Sequence, residues 1–186
     1  KPLQEAIEAI QEADVILLGP GSLYTSIVSN LLVDGVCDSI KKSDALKVYV
    51  CNVMTQPGET EGYSVSDHIN GIYKHSSEKG IMEYCIVNTS DIPDYLKKKY
   101  MDDGAQPVEI DFDKVKEMGV KLIEGDFLSI KNGFVRHNPA KLAEAVINLV
   151  MERAFGKDHK RIIDYYVKDK LEKLRIKNNR GLEISQ

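Results

Sequence analysis

Short runs of apolar residues alternate along this chain with stretches in which apolar residues recur every three or four positions. Residues 15–18 read Val-Ile-Leu-Leu and end at a glycine, as expected of a strand buried on both faces of a parallel sheet. Further strands are predicted at residues 46–51, 84–87, 108–110 and 120–123. Helices are predicted at residues 2–12, 23–32, 34–42, 64–77, 92–101, 113–118 and 139–154. Because strands that alternate with helices indicate βαβ units, the predicted fold class is α/β, a doubly wound and mostly parallel sheet with helices on both faces.

The composition of the chain changes after Gly156. Residues 1–156 hold every predicted strand and are expected to form one domain, closed by a helix that Asn138 would cap. Residues 157–186 are highly charged, with a predicted helix at 162–176, and this tail is expected to serve as a docking or homo-oligomer element. Doubly wound nucleotide-binding folds usually begin with a strand and a glycine-rich turn, whereas no glycine precedes Gly19 here. We therefore expect the chain to lack the N-terminal part of a longer fold.

Composition and charge narrow the class of protein. The 186 residues are 42% hydrophobic and 29% charged, which suits one compact core, and the formal net charge of −4 disfavours nucleic acid as a partner. Three cysteines without C-x-x-C spacing argue against a disulfide framework and against a zinc site, and favour the reducing cytoplasm. No apolar run approaches the roughly 20 residues of a membrane span, and no signal peptide is predicted.

The first predicted strand runs into Gly19-Pro20-Gly21-Ser22, which with Leu23, Tyr24, Thr25 and Ser26 forms what we call the first loop (residues 19–26). Two glycines free the backbone, and Ser22 is a predicted N-cap whose helix would direct N–H groups at an anion above the sheet. The motif is neither G-x-G-x-x-G nor a Walker A loop. It also fits an ordinary turn between strand and helix, but three hydroxyls at a helix start favour an anion site.

A second polar loop (residues 52–64) follows the strand at 46–51 and contains Asn52, Thr55, Gln56 and Glu59. Because the carboxyl ends of parallel strands meet at one edge of a sheet, both loops are expected to face one crevice. Loops of about a dozen residues tend to be functional, although this one also fits a surface connection that caps the next helix.

The histidines carry weaker signals. His68 and His75 lie seven residues apart, whereas metal-ligating pairs on a helix lie three or four apart, so we interpret both as packed or solvated side chains and predict no metal site. Arg136 and His137 precede the predicted cap and, taken alone, fit surface polar residues.

Taken together, residues 19–26, 30–33, 49–60 and 67–68 resemble the gluconeogenesis-factor family, whose members are similar to the 2-phospho-L-lactate transferases. The resemblance runs from about Ala13 to Ala143. It implies a Rossmann-like fold and a bacterial cytoplasmic protein that binds a nucleotide-sugar such as UDP-N-acetylglucosamine and acts in carbon metabolism, cell shape and cell-wall synthesis. By position, Tyr100 and Arg136 match a ligand-contacting tyrosine and arginine of that family. The predicted ligand-binding residues are Gly19, Pro20, Gly21, Ser22, Leu23, Tyr24, Thr25, Asn52, Met54, Thr55, Gln56, Gly58, Glu59, Thr60, Tyr100 and Arg136.

Two functions compete at this point. A regulatory binder, whose occupancy by a nucleotide-sugar changes how it meets a protein partner, is favoured because the predicted site is rich in phosphate-binding groups and poor in acid–base residues. No cofactor is expected for it. The alternative is a transferase that moves a phospholactyl-type group to a deazaflavin alcohol with the help of Mg²⁺. A third interpretation is a structural or oligomer-forming half with no ligand of its own.

Overall fold

The computed structural model of the protein describes residues 1–76 and 80–156. Lys1–Ala145 form one compact unit, and a second unit, Val146–Gln186, begins within the last described helix. The tail helix predicted at 162–176 lies outside the described residues. The helices are α1 Gln4–Glu12, α2 Ser29–Leu31, α3 Val36–Lys42, α4 Val65–Ser76, α5 Asp94–Asp102, α6 Phe112–Glu117 and α7 Pro139–Phe155. The strands are β1 Val15–Leu18, β2 Leu46–Val50, β3 Tyr84–Asn88, β4 Lys121–Gly125, β5 Leu128–Lys131 and β6 Phe134–His137.

The main sheet consists of four parallel strands in the order β1-β2-β3-β4. Leu17 pairs with Val48 between β1 and β2, and Tyr49 pairs with Cys85 between β2 and β3. All five residues of β2 are buried, which is why this strand reads as a continuous apolar run rather than an alternating one. The predicted Rossmann-like α/β class with a parallel sheet is confirmed.

The core of this unit forms where one face of the sheet meets the first loop and α4. Tyr49, Cys51 and Cys85 point to this face and pack with apolar side chains such as Leu23 and Ile69. Gly71 on α4 allows close packing, because a Cβ atom there would lie 3.1 Å from the Leu23 side chain. This packing holds the start of the first loop directly above the sheet.

The first loop enters a π-helical segment, Leu23–Val28, before α2. The carbonyl oxygen of Ser22 accepts hydrogen bonds from the N–H groups of Ser26 and Ile27, at 3.0 and 3.1 Å. Ser22 is therefore the N-cap residue by position, as predicted, but its side chain makes no capping hydrogen bond. The segment is wider than the α-helix predicted for residues 23–32, and π-helical turns are frequent at functional sites.

A reciprocal hydrogen-bond pair opens α4. The Ser64 N–H donates to Asp67 Oδ2 at 3.0 Å, and the Asp67 N–H donates to Ser64 Oγ at 3.3 Å, which is a capping box with aspartate in the third helical position. Asp111, just before α6, accepts hydrogen bonds from the Ser66 N–H at 2.9 Å and from Ser64 Oγ at 2.8 Å. These bonds tie the end of the second loop to α6.

One predicted strand is wrong, and one pair of strands was not predicted. Residues 108–110 do not form a strand of the main sheet; this segment makes only isolated bridges, one between Ser64 and Glu109 and one, beside it, between Met54 and Pro107. The N–H of Val108 donates to the carbonyl of Val53 instead, at 3.0 Å, so the segment runs along the second loop. Conversely, the antiparallel hairpin of β5 and β6 was not predicted.

Candidate functional site

A cleft of about 690 Å³ opens at the carboxyl ends of β1 and β2. Both loops reach it, together with the end of α5 and strand β6. Its lining residues are Pro20, Gly21, Ser22, Asn52, Val53, Met54, Thr55, Gln56, Pro57, Tyr100, Asp103, Ala105, Val135, Arg136 and His137. The prediction that the two loops face one crevice is confirmed, and Arg136 lies at the same crevice.

The first loop approaches the sheet closely where β1 ends. Gly19 has a φ of 91°, and a Cβ atom there would lie 3.1 Å from the carbonyl oxygen of Val50. Only glycine combines this backbone conformation with this close contact at low cost. Gly19 therefore allows the loop to pack closely against the end of β2. The next three residues, Pro20, Gly21 and Ser22, line the cleft.

The second loop is held by hydrogen bonds of its own threonines. The Thr55 N–H donates to the Gln106 carbonyl at 2.8 Å, and the Gln106 N–H donates to Thr55 Oγ1 at 2.9 Å. Thr60 Oγ1 accepts from the Gln56 N–H at 2.9 Å. Since Thr60 is fully buried, its role is to shape the loop, whereas Asn52 and Gln56 line the cleft.

The sequence predicted that N–H groups at the start of the helix in the first loop would bind an anion. In the structure, a side chain of the protein accepts their hydrogen bonds. Glu59 Oε1 accepts hydrogen bonds from the N–H groups of Tyr24 and Thr25, at 3.1 and 3.0 Å. A carboxylate at this position is favoured by the exposed N–H groups and by the positive end of the helix dipole. The two loops are thus joined by Glu59, and neither Tyr24 nor Thr25 lines the cleft.

Tyr24 points into a cluster of rings away from the cleft. Its hydroxyl lies 2.9 Å from that of Tyr63, and its ring meets His75 edge-on, with centroids 5.6 Å apart. The pKa of Tyr24 is raised to about 12, first by the hydrogen bond with Tyr63 and then by burial. His68 is fully buried and meets Tyr63 edge-on, and burial lowers the pKa of its imidazole. Both histidines of α4 are packed side chains.

Arg136 reaches the cleft because of the hairpin. Asn132 and Gly133 have φ values of 53° and 70°, the conformation of a two-residue type I′ turn, which matches the twist of the strands it joins. Tyr100 Oη accepts a hydrogen bond from the Val135 N–H at 3.0 Å, and the guanidinium of Arg136 donates to the Val135 carbonyl at 3.1 Å. Arg136 itself is exposed.

His137 anchors the other end of β6. Its Nε2 lies 3.1 Å from the carbonyl oxygen of Cys51, which can only accept, so Nε2 carries the hydrogen. Burial lowers the pKa of His137 below its ordinary value, and the hydrogen bond to Cys51 opposes that shift without cancelling it. The imidazole is accordingly neutral at physiological pH.

Nine of the sixteen predicted ligand-binding residues line the cleft: Pro20, Gly21, Ser22, Asn52, Met54, Thr55, Gln56, Tyr100 and Arg136. The other seven do not: Gly19, Leu23, Tyr24, Thr25, Gly58, Glu59 and Thr60. Leu23 is a fully buried core residue, and Gly58 has its N–H bonded to Glu61.

Six lining residues were not predicted: Val53, Pro57, Asp103, Ala105, Val135 and His137. The Asn132-Gly133 dipeptide is the sequence signal that would have placed Val135 and His137 on a hairpin strand beside Arg136. Asp103 carries the one carboxylate among the residues that line the cleft.

Within residues 1–76 and 80–156, no three side chains of histidine, cysteine, aspartate or glutamate come together as a metal site would require. None of the described helices combines the length and apolar character needed to cross a bilayer.

The chain is similar to known proteins over most of its length. The family model of the 2-phospho-L-lactate transferase CofD matches residues 1–128. A putative gluconeogenesis factor of Clostridium acetobutylicum is 43% identical over 183 residues, which are 98% of this chain and 40% of the relative. The gluconeogenesis factor of Bacillus subtilis is 44% identical over 151 residues, 81% of this chain and 47% of the relative.

A solved structure supports the same assignment. The crystal structure of a UPF0052-family protein from Bacillus halodurans is 49% identical and superposes with a TM-score of 0.76, covering 78% of this chain and 47% of that one. The chain thus spans about half the length of the relatives it matches, or less. Because the family model matches residues 1–128, the chain belongs to the family of the 2-phospho-L-lactate transferase CofD, and its relatives more than 40% identical are gluconeogenesis factors.

Proposed function

We propose that this protein is a non-catalytic binder of a nucleotide-sugar, a UDP-sugar such as UDP-N-acetylglucosamine, in the bacterial cytoplasm. The observation that carries the proposal is that both polar loops and Arg136 line the same cleft. Its volume lies within the range of roughly 300–1,000 Å³ that is usual for small-molecule sites. Through that ligand the protein would regulate carbon metabolism, cell shape and cell-wall synthesis, by changing how it meets a protein partner.

The chemistry of the cleft lining supports a ligand with phosphates at one end and hydroxyls at the other. Arg136 is suited to a diphosphate, because a guanidinium presents paired N–H donors to phosphate oxygens. Asn52 and Gln56 offer amide donors and acceptors, and the Asp103 carboxylate can accept hydrogen bonds from sugar hydroxyls. Since Glu59 already occupies the N–H groups of Tyr24 and Thr25, we assign the diphosphate to the side of Arg136.

Calorimetry on the full 186-residue chain tests this proposal. We expect UDP-N-acetylglucosamine to bind with a stoichiometry of one, and to bind more tightly than UDP, because the sugar adds contacts to Asp103. Tighter binding of guanine nucleotides with no response to the UDP-sugar would overturn the proposal.

The second candidate is a transferase, which the match to the 2-phospho-L-lactate transferase model over residues 1–128 favours. In that case the cleft would hold a nucleoside diphosphate donor, and a phospholactyl-type group would pass to a deazaflavin alcohol. Asp103 and the phosphates of the donor would hold Mg²⁺, which offsets phosphate charge when bound. Release of nucleotide from a guanosine donor in the presence of the alcohol would establish this activity, and the Asp103→Asn variant should then lose it.

A further inference from the structure

Among residues 1–76 and 80–156, the outer edge of β6 has no neighbouring strand, because the hairpin sheet is built from β5 and β6. Val135 lies opposite Ile130 in the antiparallel ladder, and its N–H and carbonyl bond to groups outside β5, as in a non-hydrogen-bonded pair. The Val135 N–H donates a hydrogen bond to Tyr100 Oη at 3.0 Å, and the Arg136 guanidinium donates one to the Val135 carbonyl at 3.1 Å. A continuous chain of two hydrogen bonds thus runs from the Tyr100 hydroxyl through the backbone of Val135 to the Arg136 side chain.

The residue before Tyr100 holds the same hairpin. Lys99 Nζ donates to the Gly133 carbonyl at 2.9 Å and lies 3.9 Å from the centre of the Phe134 ring. Val135 also packs with Met54, Ile92 and Leu96 in a small apolar cluster. Lys99 and Tyr100, two consecutive residues of α5, therefore both bind the hairpin through hydrogen bonds. At the other end of β6, His137 forms a hydrogen bond with the Cys51 carbonyl.

The alternating side-chain directions along β6 explain why the orientation of Arg136 depends on the hydrogen bonds of the neighbouring backbone. Side chains of successive strand residues point to opposite faces, so Val135 and His137 face inward while Arg136 is exposed between them. An exposed arginine has many rotamers, and its direction toward the cleft is set by the backbone on either side and by its bond to the Val135 carbonyl.

We propose that Tyr100 is a positioning residue, whose hydroxyl fixes the backbone of Val135 and thereby aims Arg136 into the cleft. This assignment differs from the sequence-based expectation of a direct ligand contact for Tyr100. The claim that Tyr100 affects ligand affinity rests on the proposed function. The claim that Tyr100 fixes the hairpin backbone does not.

The hairpin part is tested without ligand by hydrogen exchange on the full chain. Tyr100→Phe removes the hydroxyl and keeps the ring. We expect the Val135 amide to exchange about two- to tenfold faster, as for the loss of one neutral hydrogen bond. Tyr95→Phe is the matched control, because Tyr95 lies on the same helix and is 65% exposed. Unchanged exchange at Val135 in Tyr100→Phe would overturn the proposal.

The ligand part is tested by a double-mutant cycle with UDP-N-acetylglucosamine as the probe. If Tyr100 acts through Arg136, Tyr100→Phe weakens binding in the wild-type background but changes the affinity of Arg136→Ala by less than about twofold. Additive losses would show that Tyr100 contacts the ligand itself and would overturn the positioning role. If the wild-type chain binds no UDP-sugar, the proposed function fails, and the exchange measurement still decides whether Tyr100 positions the hairpin.

Discussion

The carboxylate of Glu59 accepts a hydrogen bond from the backbone N–H of Thr25 at 3.0 Å, across 34 positions of the chain. The same oxygen accepts from Tyr24, so one side chain joins the two loops that flank the cleft. It also supplies the negative charge that the start of the π-helical segment attracts. This relationship explains why the first loop shapes the cleft through Pro20 to Ser22 rather than through the helix start.

Replacing Glu59 with alanine should destabilise the protein. Glu59→Ala leaves two N–H groups at the helix start without their protein partner, and we expect a loss of about 1–2 kcal/mol in the free energy of unfolding, measured in urea. Glu59→Gln keeps an acceptor oxygen without the charge and should lose less. Glu109→Ala, at an exposed position with no side-chain hydrogen bond among the described residues, is the control. Equal stability of wild type and Glu59→Ala would show that the bridge contributes nothing.

Removing the Arg136 guanidinium should weaken ligand binding without unfolding the protein. We expect Arg136→Ala to lose about 1.5–3 kcal/mol of binding free energy for UDP-N-acetylglucosamine in calorimetry, as for one charged hydrogen-bonded contact. Because Arg136 is exposed, the free energy of unfolding should change by less than about 0.5 kcal/mol. Arg136→Lys should recover only part of the affinity, since an ammonium cannot bind bidentately. Lys131→Ala, also on the hairpin, should bind as wild type does, and unchanged affinity in Arg136→Ala would remove Arg136 from the site.

The stability of the protein should decrease as the pH falls below about 6.5. Burial lowers the folded-state pKa of His68 and of His137 below the 6.5 of an unperturbed histidine. Between those values the unfolded chain binds protons that the folded chain does not, so the stabilisation is complete above about pH 6.5 and is lost as the pH falls through the folded pKa. His137→Gln should reduce this dependence, measured by urea unfolding between about pH 7.5 and pH 5. An identical pH dependence in His137→Gln would contradict a lowered pKa at His137.

Asp111 should contribute stability that disappears in acid. Burial alone would raise the pKa of this carboxyl, but hydrogen bonds from Ser66 and Ser64 outweigh burial and lower the pKa below its ordinary value. Its side chain is 11% exposed, so Asp111→Asn should cost about 1–3 kcal/mol of unfolding free energy near neutral pH. That difference should persist down to about pH 4 and vanish as wild-type Asp111 is protonated at lower pH. Asp113→Asn, at an exposed position on α6, is the matched control.

Much of the fold was predictable because it depends on local patterns. Residues 15–18, 46–51 and 84–87 are apolar runs, and a parallel sheet covered on both faces needs such runs. Two polar loops that follow adjacent strands must emerge at one edge, so the position of the cleft could be inferred without coordinates. The prediction was wrong at residues 108–110, because a short apolar pattern does not reveal which neighbour takes its backbone hydrogen bonds.

The residue pattern therefore predicted the parallel sheet and the two loops at its edge, whereas Arg136 became a candidate only through the resemblance to the gluconeogenesis-factor family. Only the tertiary structure decided which loop residues reach the cleft. Glu59 neutralises the helix start from a loop 34 positions away, and Tyr100 reaches Val135 across 35 positions. Neither partner could be inferred from spacing, because a hydrogen bond between distant segments depends on how the strands and helices pack rather than on any periodicity of the sequence.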